Sequence, residues 1–98
     1  MSARRDEHMM GILLDIAAER GRQDEKWGPD HRQVNSVWGL ILTEEVGEAA
    51  EAALEVFAPG DSDEFFKARE HLREELVQVA AVAVAWLEAL DANRAWQG

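Results

Sequence analysis

An all-α fold of about three long helices in a single domain follows from three features of this 98-residue chain. Apolar residues recur at helical spacing through three segments. Two breaks, "WGPDHR" and "APGD", separate those segments, and each contains both Pro and Gly, the strongest local punctuation. The apolar run "VQVAAVAVA" is valine-rich enough for a buried strand, but its alanines and the helical pattern on either side favour helix. No internal repeat, linker or low-complexity stretch interrupts residues 1–98, which read as one domain.

In the first segment Met9, Ile12, Leu13, Ile16 and Ala17 keep the i, i+3, i+4 rhythm, predicting a helix from about residue 5 to residue 25 or 26. Asn35 is a candidate cap for the second helix, which should end near Phe57 ahead of Pro59. Asp61 with Glu64 three positions on resembles a capping box and opens a third helix, expected to reach about Ala92. Over residues 76–87 only Gln78 is polar. A helix apolar all round must be covered on every side. Two other helices of one chain do not readily achieve that, so the sequence predicts a bundle completed by a second subunit. Chains of this size bury only about two-thirds of their unfolded surface, and many of the 47% apolar residues are alanine, which points the same way.

Twenty acidic against ten basic residues give a formal charge of −10. Nucleic-acid backbones and anionic membranes select cationic surfaces, so neither is an expected partner. Cation binding is compatible with this balance. The absence of cysteine excludes disulfides, thiolate metal sites and thiol nucleophiles. The start "MSARRDEHMMG" carries no long apolar stretch, and "VAAVAVAWL" is too short to span a bilayer. A soluble, cytoplasmic protein is the expectation.

The second segment, "LTEEVGEAAEAALEV", places carboxylates where a core should be. At 100° per residue Val34, Trp38, Ile41, Ala49, Ala52 and Val56 all lie within about 40° of Glu45. Glu48 is about 60° to one side, with Glu44 nearer the edge. On the third helix Ala68, Val79, Val82 and Trp86 lie within about 40° of Glu75, and Gln78 is about 60° away. Each apolar stripe thus carries a Glu and a second oxygen-bearing residue three positions on. Three facing carboxylates about 5 Å apart would repel by roughly 3 kcal/mol per pair at an effective dielectric of 20. The sum, about 10 kcal/mol, rivals the stability of a small domain. Protons, basic side chains or a metal must offset it. Nearby, the core face supplies only His71 and Lys67, so a cation held by oxygens is the better match, Mg²⁺ or Mn²⁺ rather than zinc or copper. The alternative is an ordinary solvated face, since an E-x-x-E pair arises often by chance.

"EEVGEAAEA" followed by "LREELVQVAAVAVAWLEAL" resembles the MazG-like family of all-α nucleoside triphosphate pyrophosphohydrolases, whose pattern is E-E-x-x-E, a spacer, then E-x-x-D. Glu44, Glu45 and Glu48 match the first half, and Glu75 opens the second after 26 intervening residues. The upstream "RQDEKWG" is similar to small phage- or actinobacterial-type members, and the resemblance runs from about Ile12 to Leu90. It implies a four-helix-bundle architecture assembled as homodimers or homotetramers. It also implies Mg²⁺ as cofactor, with Mn²⁺ as a substitute, and cleavage of an NTP or dNTP between the α- and β-phosphates. A house-cleaning role in the nucleotide pool is one expectation from it. The family's metal ligands fall on Glu45, Glu48, Glu75 and Gln78. Gln78 is a departure: an amide oxygen stands where the family has Asp, bringing one negative charge fewer. Reduced activity, altered metal preference, or a non-catalytic module binding nucleotide or a protein partner are the consequences it allows. Glu88-x-x-Asp91 also spells E-x-x-D but reads as a solvated helix end. A di-iron carboxylate bundle is a further alternative, although those sites use E-x-x-H and none occurs here.

Glu44 or an incompletely coordinated Glu45 is the candidate general base for an attacking water. Trp38 lies on the Glu45 stripe about 10 Å along the axis, placing a stacked base at a distance that leaves its α-phosphate near the metal; core packing is the alternative. Trp27 and His31 flank the Gly-Pro turn and are candidates to close over base or sugar, against a hydrophobic staple and a solvent-facing histidine. Lys67 and His71 rise along the Glu75 ridge as phosphate contacts, with Lys26 and Arg32 as further cations. Arg94 would reach the site only after a fold-back or in a neighbouring subunit.

Overall fold

A computed structural model describes residues 3–97. Three helices account for most of it: α1 (Ala3–Trp27), α2 (Asn35–Phe57) and α3 (Ser62–Asp91). The all-helical expectation holds, and each helix lies within about two residues of its predicted bounds. Asp61 caps α3 as read, its side chain accepting a hydrogen bond from the Glu64 amide at 2.9 Å. Asn35 does not cap α2. Val34 occupies that position without a side-chain bond, and the Asn35 Oδ1 instead accepts from Trp86 Nε1 at 2.8 Å. The amide is therefore spent joining α2 to α3.

The central element is α3, against which both α1 and α2 pack. Its valine-rich middle is helix, as the alanine content predicted. The core forms where small residues let helices approach: Ala49 and Ala52 of α2, with Ala81, Val82, Ala85 and Ala89 of α3, all buried. Trp38 fills the end of this seam at 2% exposure, backed by Trp27, Ile41, Leu42 and Trp86. Arg20 ties α1 to α3 through Glu88 at 2.7 Å, while also bonding Asp24 and Gln23 on its own helix. Arg73 reaches Asp15 at 2.7 Å.

Two short strands, β1 (Gln33–Val34) and β2 (Ala95–Trp96), pair in parallel and were not foreseen. Two residues carry no periodicity to read. What makes the pairing reachable is the end of α3: Asn93 adopts φ 55, Arg94 N–H bonds the Ala89 carbonyl at 2.7 Å, and Asn93 N–H bonds that of Leu90 at 3.2 Å. This is a Schellman-type stop, with asparagine in the left-handed position. The chain folds back, and Arg94 docks on the Pro29 carbonyl beside Asp30. At the other side of the pairing, Gly28 turns the chain out of α1 with φ 91, a conformation that favours glycine.

Cover for the apolar α3 is incomplete within one chain. Leu76, Val84 and Leu87 stay exposed, as do Met9, Met10, Ile12, Leu13 and Leu14 along the first half of α1. The radius of gyration, 15.8 Å, exceeds the roughly 13 Å of a compact chain of this length, and residues 3–15 of α1 are exposed throughout.

Candidate metal and nucleotide site

The facing stripes do bring the carboxylates together. One ligand oxygen from each of Glu45, Glu48 and Glu75 lies within 4.8 Å of the others. The placement follows from helix periodicity: Glu45 is one turn before buried Ala49, and Glu75 precedes the apolar stretch that packs on α2. Glu48, on the flank, remains exposed. Oε2 of Glu45 and Oε2 of Glu75 are buried and accept no hydrogen bond. Buried polar atoms are ordinarily satisfied, so two unpartnered carboxylate oxygens on one spot are an anomaly that requires a reason.

Electrostatics report the same crowding. The Glu45 carboxyl is pushed above its ordinary range, first by burial and then by Glu48, Glu75, Glu44 and Glu19. A cation would relieve this. Oxygens around one Mg²⁺ at about 2.1 Å stand at most about 4.2 Å apart, so small side-chain adjustments would bring this trio into range. An all-oxygen donor set suits Mg²⁺ or Mn²⁺ on chemistry as well as on spacing.

Around the carboxylates the candidate residues separate into groups. Gln78 lines the same cleft as Glu45, a cavity of about 200 Å³ whose other wall is Glu19, Arg22, Lys26 and Trp27 of α1. His71 is held on both sides, Nδ1 facing Glu55 Oε2 at 3.1 Å and Nε2 facing Glu75 Oε1 at 3.3 Å. The Glu55 hydrogen bond is the main cause of a raised His71 pKa, with the Glu55 and Glu75 charges adding to it. Lys67 opens onto a different groove, between the end of α2 and the start of α3, beside Phe65 and Pro59. Glu44 is exposed next to the cluster.

The three aromatic candidates form one assembly. Trp27 and His31 rings lie 5.5 Å apart, and Trp38 meets them edge-on at 6.4 and 5.5 Å. Trp38 is the buried member, against Val82, Ala85 and Ala89. Trp27 and His31 are the partly exposed members, with Trp38 beneath them. Arg94 belongs to the loop 28–32 side of this assembly.

Arg22 and Glu19 of α1 did not stand out in the sequence, although the signal was present. Residues 19, 22, 23 and 26 fall on one stripe of α1, within about 100°. Attention to apolar spacing alone passes over a polar stripe. Comparison of the chain with family models, curated proteins and solved structures found no match in any of the three.

Proposed function

We propose that the protein is a Mg²⁺-dependent nucleoside triphosphate pyrophosphohydrolase, converting an NTP or dNTP to the monophosphate and pyrophosphate. The observation that carries this reading is the convergence of Glu45, Glu48 and Glu75 within 4.8 Å, two of them with buried, unpartnered oxygens. The sequence resemblance to MazG-like enzymes supplies the reaction class. Glu45, Glu48 and Glu75, with the Gln78 amide oxygen, would hold the ion. Bound there, Mg²⁺ would supply Lewis-acid polarisation of the α-phosphate and a lowered pKa for water.

The reaction is an attack of water oxygen on the α-phosphorus. The bond from that phosphorus to the α,β-bridging oxygen breaks, and pyrophosphate leaves with the electron pair. Glu44, exposed and adjacent to the cluster, accepts the water proton, or Glu45 does so through whichever oxygen is not coordinated. Trp27 and His31 receive the base. A homodimer or homotetramer covering Leu76, Val84 and Leu87 is part of the same reading, as are a cytoplasmic setting and a house-cleaning role toward surplus dNTPs.

The test is a panel of NTPs and dNTPs with Mg²⁺, assayed for released pyrophosphate. Release with at least one, abolished by EDTA, is the expected result. Silence across the panel at high enzyme concentration would defeat the hydrolytic reading. Gln78 favours a second reading, a non-catalytic module that retains nucleotide, because its amide contributes no charge to the ion. Nucleotide binding without hydrolysis would select that alternative.

A further inference from the structure

A triphosphate brought to three carboxylates, on a chain of net charge −10, needs cations beyond a single divalent ion. The ridge of α3 is poorly placed to supply them. Both ring nitrogens of His71 are engaged by Glu55 and Glu75, and Lys67 opens onto a separate groove. The wall of the Glu45 cleft is different. Arg22 and Lys26 stand one turn apart on α1, about 6 Å along the axis, facing Glu45 and Gln78. Arg22 commits Nε to Glu19 at 2.7 Å, which orients the guanidinium, while its two Nη groups make no hydrogen bond among the described residues. Lys26 makes no ion pair among them.

Next to Arg22 and Gln78 lies a second cavity, of about 420 Å³, between α1 and α3, where Arg73 sits paired to Asp15 beside Glu19 and Glu74. Glu19, Arg22 and Gln78 line both spaces, so the two adjoin. This gives the cleft a direction. Trp27 marks one end and the adjoining cavity the other, with Lys26 and Arg22 along the wall between them.

The geometry points to a polyphosphate subsite on α1, with Lys26 and Arg22 holding the β- and γ-phosphates of the nucleotide and then the pyrophosphate product. The inference rests on the nucleotide reading above and extends it from the acidic motif to Arg22 and Lys26 of the upstream "RQDEKWG" stretch. Arg22 is the geometric anchor, since its planar fork can grip two phosphate oxygens at once, whereas Lys26 acts as a point charge.

The probe is sodium pyrophosphate in excess Mg²⁺, titrated calorimetrically into the full chain, wild type against Arg22→Gln, Lys26→Gln and, as a control of equal charge, Arg69→Gln. Each cleft variant should weaken pyrophosphate at least fivefold and the double variant more, with Arg69→Gln near wild type and Arg22→Lys recovering part of the loss. Thermal melts confirm folding; both side chains lie on the surface. Equal weakening by Arg69→Gln, unchanged affinity in the cleft variants, or no pyrophosphate binding by wild type would overturn the subsite. Hydrolysis measured in parallel separates the two readings. An active wild type with unaffected cleft variants removes this inference alone. Pyrophosphate binding that depends on Arg22 and Lys26, in a protein that hydrolyses nothing, keeps the subsite and removes the enzyme.

Discussion

Glu45 concentrates the chemistry at the residue scale. Its carboxyl is raised above the ordinary 4.5 by burial and by its acidic neighbours, so the folded state holds a proton more tightly than the unfolded state does. The sign follows by linkage: the associated stability is fully present below about pH 4.5 and is lost as pH rises through the higher folded value. Without metal, wild-type Tm should therefore fall relative to Glu45→Gln as pH increases from 4.5 upward. Mg²⁺ should reverse that trend for wild type and not for the variant. Melts in EDTA and in Mg²⁺ across pH 4 to 8 check it, and parallel wild-type and variant curves would refute it. Gln78→Asp should tighten Mg²⁺ several-fold and raise turnover, while lowering the metal-free Tm, because it adds a fourth carboxylate to an already crowded group. Trp38 bears a different load. Truncation to Ala should cost about 3–5 kcal/mol, much of a small domain's stability, whereas Trp38→Phe should stay folded. Thermal melts distinguish this core role from one in base contact alone, which would leave Tm unmoved.

At the scale of elements, the helices are joined by few but definite devices. The Asp61 cap secures the start of α3, the helix that both others depend on. Asp61→Ala should cost about 1 kcal/mol, lowering Tm by roughly 4–8 °C for a domain of this size, as followed by far-ultraviolet circular dichroism. The fold-back at Asn93 has its own logic: an αL residue ends α3, and the returning chain pairs with β1, fixing the loop that carries His31. The aromatic assembly is thus held from two sides, by the core beneath Trp38 and by this strand pair.

On the scale of the whole molecule, the unfinished surface governs. A bundle whose central helix leaves Leu76, Val84 and Leu87 in water, and whose first helix exposes five large apolar residues in its N-terminal half, has more apolar face than a lone chain covers. Sedimentation should therefore report dimers or tetramers, with a Tm that falls on dilution. Leu87→Glu should shift the population toward monomer, since burying an unpaired charge opposes association. A monodisperse monomer at high concentration, with unchanged Tm on dilution, would refute the assembly. Among the described residues no helix is long and apolar enough to cross a membrane, in line with the short apolar run of α3.

How far the chain could be read before its structure was known depends on what is periodic. Three helices, their ends, the Asp61 cap and the convergence of Glu45, Glu48 and Glu75 were all legible. Each is a consequence of 3.6-residue spacing acting on one helix or on two facing stripes. The two-residue strands, the redirection of Asn35 to Trp86, and the retreat of Lys67 from the carboxylate cleft were not. Those depend on where distant segments meet, which local spacing does not encode. The sequence by itself determined helical rods with acids on their inner stripes. Only the tertiary structure decided which third wall those acids face, because that wall is α1, and its placement is set by packing and by the Arg20–Glu88 and Arg73–Asp15 pairs rather than by any repeat along the chain.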